Sequence, residues 1–84
     1  MLTVGDIMRN DYGYRNLILD MGLKISYYRK KRGLSQEDLA ERVGVSTSYI
    51  GMIEAPNICK SASLKTIYAI ASELDIPIAK LFEE

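Results

Sequence analysis

Three serines, Ser35, Ser46 and Ser63, each stand directly before a stretch of helical period, and each stretch is closed by a residue that breaks or turns the chain. That punctuation confines the chain to short helices. Ser35 has Asp38 three residues on, the pattern of a capping box, and Leu39, Ala40 and Val43 form the inner face of a segment that Gly44 ends. Ser46 opens a segment with Tyr49, Ile50 and Ile53 on its apolar side. Pro56 terminates it, because a proline restricts the residue before it and cannot continue the hydrogen-bond ladder. Ser63 opens a segment in which Leu64, Ile67, Ile70, Ala71 and Leu74 recur at helical spacing, and Asp75 occupies the following turn. Upstream, Met21, Ile25 and Tyr28 fall at i, i+4 and i+7. Asp20 is the predicted N-cap of that helix, and Gly33 its stop after a basic last turn that suits the helix dipole. A short segment from Ile78 to Phe82 is expected to add Leu81 and Phe82 to the core. No stretch alternates with period two, so the expected fold is all-α, with five short helices.

Residues 1–20 are less clearly punctuated. Thr3 to Met8 suits a helical turn, and Asn10-Asp11-Tyr12-Gly13 reads as a turn. Leu17, Ile18 and Leu19 form an apolar run just before the first predicted helix, either a cover over the core edge or a self-association surface. The expected organisation is an N-terminal extension, residues 1–20, followed by one domain, residues 21–82.

Eighty-four residues suit a single small domain with one modest core. The composition, 48% hydrophobic and 26% charged, is that of a soluble globular chain. No apolar run approaches the roughly 18–20 residues of a membrane-spanning helix. Nor does a basic stretch followed by an apolar one open the chain, so no signal peptide is expected and the expected compartment is the cytoplasm. With no His and one Cys, Cys59, the usual zinc sets, nucleophile triads and iron–sulfur patterns are missing, and no intrachain disulfide can form. Cys59 reads as a passive loop residue. No metal or cofactor is expected, and no pair of carboxylates or lysines is set in a cleft-forming pattern, so an enzyme is not expected.

Net charge is zero, with eleven basic and eleven acidic residues, whereas nucleic-acid binders tend to be basic. The charge is unevenly placed. Lys24, Arg29, Lys30, Lys31 and Arg32 fall in one stretch without an acid, whereas Leu34 to Glu54 carries Glu37, Asp38, Glu41 and Glu54 against Arg42 alone. The basic stretch is either a solvated helix face or a phosphate-facing patch.

Very few residues join the second and third predicted helices. Gly44 at the bend can take the left-handed conformation of a sharp reversal, and Ala40 lets two backbones approach closely. This is the helix-turn-helix plan, in which the second helix of the pair enters the major groove. The string Ser35 to Glu54, SQEDLAERVGVSTSYIGMIE, follows Met21-Gly22-Leu23-Lys24-Ile25 and Tyr28-Arg29-Lys30-Lys31-Arg32-Gly33-Leu34. Together they resemble the phage Cro and repressor-type helix-turn-helix family, also called the xenobiotic-response-element family. Ser63-Leu64-Lys65-Thr66-Ile67, the Ala71–Leu74 stretch and Ile76 to Phe82 are similar to that family's fourth and fifth helices. The resemblance covers residues 21–82 and implies a lambda-repressor-like domain.

It also implies roles. Gln36 matches a residue that hydrogen-bonds the DNA backbone. Thr47, Ser48 and Met52 match positions facing base edges, with Gly51 leaving that face flat and Tyr49 turned toward phosphate or the groove wall. Arg29 and Glu54 match a pair that ties the first helix to the end of the third, where a bidentate guanidinium–carboxylate contact fixes the angle of the reading helix. Capping is the competing role for Ser46 and Thr47, and an ordinary half-buried aromatic is the competing one for Tyr49. The expected DNA-binding set is Gln36, Ser46, Thr47, Ser48, Tyr49, Met52 and Lys60.

Two departures from the family pattern bear on specificity. The stretch Ser46–Glu54 holds no Lys, Arg, Asn or Gln, the bidentate readers of guanine and adenine. Thr47 and Ser48 can hydrogen-bond almost any base and Met52 can touch a thymine methyl, so readout should be modest or lean on DNA shape. Ala55-Pro56 replaces the family's Arg-Gly or Asn-Gly, and the loop to Leu64 is slightly longer, with Asn57, Lys60 and Ser61 available to phosphate. The leading expectation is a DNA-binding transcriptional regulator, a repressor type acting as a homodimer on double-stranded DNA, without an effector-binding domain and away from membranes. The alternative is a protein-interaction module on the same fold, antitoxin-like or deficient in DNA binding, that meets a protein partner through Tyr49, Met52 and Ile58.

Overall fold

Each of the three serines accepts a hydrogen bond from the backbone N–H three residues on: Ser35 from Asp38, Ser46 from Tyr49 and Ser63 from Thr66. The helices they open are α2 (Gln36–Val43), α3 (Thr47–Glu54) and α4 (Leu64–Glu73). At Ser35 the capping box is complete, since the Asp38 carboxylate accepts in turn from the Ser35 N–H at 2.9 Å. This computed structural model describes residues 12–58 and 60–83. The expected turn at Thr3–Met8, Asn10, Asp11 and Cys59 lie outside the described residues.

The first helix, α1, runs Tyr12–Lys31, so Asp20 is an interior residue and not its N-cap. Tyr12 and Gly13, expected in a turn, begin this helix. Ile18 carries the Met21–Ile25 row one turn back and is buried, and no proline interrupts the segment. Asp20 lies on the exposed face, where an acid costs a helix little. Of the run Leu17–Leu19, Ile18 is buried, whereas Leu17 is exposed.

Beyond α4, Ile78–Leu81 winds as a 3-10 turn, so the described residues hold four α-helices and one such turn and no strand. Three residues per turn place Ile78 and Leu81 in line. Leu81 is fully buried, but Phe82 is 39% exposed and does not join the core. Leu64 also departs from the expected stripe: as the first residue of α4 it is 72% exposed, and the buried row starts at Ile67.

The core comprises Met21, Ile25, Leu39, Ala40, Ile50, Ile53, Ile67, Ile70, Ala71, Leu74 and Leu81, with Val43 and Tyr49 packed at its border. Here α3 lies against α1 and α2, α4 against α2, and the 3-10 turn against α4 and α1. Two glycines make this arrangement possible. Gly44, at φ 87°, ends α2, and the N–H groups of Gly44 and Val45 both donate to the Ala40 carbonyl, which closes the bend. Gly22 lets α1 press on the end of α3, because a methyl group there would overlap the Ile53 carbonyl oxygen.

Candidate nucleic-acid interface

With Ile50 and Ile53 turned into the core, α3 points its opposite side outward. Thr47 and Ser48 are exposed, and Met52 is 37% exposed. Ser46 is exposed too, and its hydroxyl is engaged as the cap of α3. Ser46, Thr47 and Ser48 form the N-terminal end of the short helix and Met52 lies one turn on from Ser48, with no side chain at the neighbouring Gly51.

The angle of α3 is set from beneath. Arg29 donates from Nε to Glu54 Oε2 and from Nη2 to Glu54 Oε1, both at 2.8 Å, and from Nη1 to the Leu34 carbonyl at 2.8 Å. Both side chains are nearly removed from water, at 8% and 4% exposure. The hydrogen bond to Glu54 holds the Arg29 guanidinium above its ordinary pKa, aided by the carboxylate's charge and opposed by burial. A fork of this kind ties α1, the α1–α2 turn and the last residue of α3 into one unit.

Gln36 joins that unit, a contact the sequence reading did not foresee. Its Nε2 donates to Glu54 Oε1 at 3.1 Å, and its Oε1 lies 3.5 Å from where a Cβ on Gly51 would sit. One amide hydrogen is thus engaged, and the half-buried side chain keeps a second for an outside acceptor. A methyl group at Gly51 would meet this amide at ordinary contact distance, so the glycine leaves the face flat without being required by Gln36. Leu23, Ser26 and Lys30 of α1 line a shallow groove running down to Gln36 and Glu54.

The basic stretch of α1 divides between its two sequence readings. Arg29 is structural. Arg32 approaches Asp75 at 3.5 Å and the Leu74 carbonyl at 3.4 Å, and Lys31 lies over the Tyr27 ring. Lys30 stays exposed beside the groove. Tyr49 and Lys60 meet: the lysine Nζ lies 5.7 Å from the ring centroid. No local periodicity announces that contact, because Lys60 sits within the α3–α4 loop, whose path brings it back to α3.

Two helices closed on each other through a left-handed glycine, the second braced by a buried ion pair and polar on its outer side, define a helix-turn-helix module. The sequence model of the helix-turn-helix family matches residues 25–81. The chain belongs to this family, in its Cro and repressor-type branch. It is 34% identical over 64 residues to the HTH-type transcriptional regulator SinR of Bacillus subtilis, a match covering 76% of this chain and 57% of that protein. The chain therefore spans little more than half the length of that relative. Among solved structures it is similar to the restriction-modification controller protein C.AhdI from Aeromonas hydrophila. That match has TM-score 0.71 and 36% identity, and covers 80% of this chain and 97% of the other. It is also similar to SinR, described as the master regulator for biofilm formation, in complex with DNA. There the TM-score is 0.69 at 33% identity, with 75% and 98% of the two chains covered. No helix among the described residues is long and apolar enough to cross a membrane.

Proposed function

We propose that this chain is a DNA-binding transcriptional regulator, a repressor that reads the major groove with α3. The outward face of α3 carries the reading: Thr47, Ser48 and Met52 are exposed on a helix whose angle is locked by the buried Arg29–Glu54 pair. Gln36 and the backbone at Ser46 would meet the phosphates flanking the groove, with Lys60 as the neighbouring cation. Support comes from family membership and from the likeness to a DNA-bound SinR. The reading unit runs from α1 to the 3-10 turn, and the boundary expected between residues 20 and 21 falls inside α1 rather than at its start. It acts in the cytoplasm as a homodimer on an inverted repeat, whose half-sites lie about 34 Å apart, one helical turn of DNA.

Selection from a pool of random duplexes tests this. A repeat with that spacing should emerge, and Thr47→Ala and Met52→Ala should each change the preferred bases, at a cost below the roughly 1–3 kcal/mol of a bidentate contact. Recovery of no common sequence, together with unchanged preference in both variants, would contradict it. A protein-interaction module is the second reading, favoured by the zero net charge and by the exposed apolar side chains Met52 and Ile58. It would bind a protein partner with weak salt dependence.

A further inference from the structure

The reading helix has no cation of its own, and the ammonium that lies against it comes from the loop that follows. Lys60 Nζ sits over the Tyr49 ring at 5.7 Å, and both residues are half-buried. The loop backbone is braced at this point: the Ile58 N–H donates to the Ala55 carbonyl at 3.3 Å, and the Lys60 N–H to the Ile58 carbonyl at 3.1 Å. The contrast with the arginines of α1 is chemical. Arg29 and Arg32 have carboxylate partners in Glu54 and Asp75, which offset their charge. Lys60 has no such partner among the described residues. A ring face attracts a cation through its quadrupole and leaves the charge in place for a phosphate.

We propose that Tyr49 is a positioning residue, whose ring seats the Lys60 ammonium at the edge of α3 ahead of binding. The loop thereby supplies the DNA-phosphate cation that α3 lacks. This assignment rests on the DNA-binding reading above. A lysine stem is long and flexible, and ordering it before the encounter lowers the cost of the phosphate contact.

The test is a double-mutant cycle on the full chain, with binding to a random-sequence duplex measured over a salt series. Lys60→Ala should lower the slope of log affinity against log salt by about one. Tyr49→Leu should weaken binding about two- to fivefold, whereas Tyr49→Phe, which keeps the ring, should bind as the unaltered chain does. In the Tyr49→Leu background, Lys60→Ala should cost markedly less than it does alone. Proton NMR of the free proteins gives a readout that a packing defect would not reproduce. The Lys60 side-chain methylenes should be shifted upfield by the ring in the unaltered chain and in Tyr49→Phe, and not in Tyr49→Leu. Effects of the two substitutions that simply multiply, or an unshifted Lys60 in the unaltered chain, would overturn the assignment. An unchanged salt slope in Lys60→Ala would remove Lys60 from the phosphate contact and overturn it equally. Failure of the unaltered chain to bind DNA at any salt would instead overturn the DNA-binding reading, and this assignment with it.

Discussion

Arg29 and Glu54 sit where neither charge tolerates the loss of the other. Removing one partner of a buried, hydrogen-bonded pair leaves an uncompensated charge, and in this network it also releases the Leu34 carbonyl or the Gln36 amide. Glu54→Ala should therefore cost about 3–5 kcal/mol of folding stability, read from urea unfolding. A loss below about 1 kcal/mol, the range of exposed pairs, would show that the pair is not buried as described. The pairing itself was legible, because both residues occupy the positions that the family resemblance ties together. The third member was not. Gln36 reads in sequence as the first residue of a helix, and its approach to Glu54 exists only once α2 and α3 close through Gly44. Tyr49 and Lys60 were each singled out as DNA contacts, but their meeting depends on the path of the α3–α4 loop, which no local periodicity encodes.

At the scale of the elements, the boundaries set by local chemistry are the ones that composition and spacing announced. A serine hydroxyl reaching an N–H three residues on is a contact within one turn, so Ser35, Ser46 and Ser63 mark their helices without help from the rest of the fold. The Asp38 carboxyl, held by the Ser35 backbone N–H and then by the Ser35 hydroxyl, lies below its ordinary pKa. A carboxyl depressed in the folded state adds stability above its unfolded pKa and loses it as the pH falls through the folded one. The stability advantage of the native chain over Asp38→Ala should thus be full at neutral pH and vanish in acid. An advantage that persists unchanged into strong acid would contradict the capping box. Boundaries that depend on tertiary support were less legible. The start of α1 lies upstream of Ile18, which is buried, and Asp20 offers a plausible but unused cap. Ile18→Ala should destabilise the chain by about 2 kcal/mol and lower its helix content by circular dichroism, since burial of Ile18 is what supports the first turns of α1. A neutral Ile18→Ala would mean that residues 12–20 stand on their own helical propensity. The last segment was less legible for a related reason: a 3-10 turn and an α-helix share the same apolar residues, and here the turn ends at Leu81, which is buried, leaving Phe82 outside the core.

For the molecule as a whole, zero net charge is the feature least expected of a DNA-binding protein, and its weight depends on where the charges lie. Charges are not equivalent once folded. Arg29, Glu54, Arg32 and Asp75 are matched among themselves, so part of both totals is spent on holding the helices together. What remains for a partner is a matter of placement: Lys30 beside the Gln36 groove, Lys60 at the edge of α3, and a reading face of Thr47, Ser48 and Met52 without an acidic residue. With so few cations, binding should be weak on arbitrary sequence, and its salt slope should be shallow, in proportion to the few phosphates contacted. The most direct measurement is an NMR titration of the labelled chain with a random-sequence duplex, at low salt and again at about 0.2 M. The predicted result is a set of shifts centred on Gln36, Ser46 to Met52 and Lys60 that fades at the higher salt. No shifts at either salt, or shifts that ignore those residues, would contradict DNA recognition through this face.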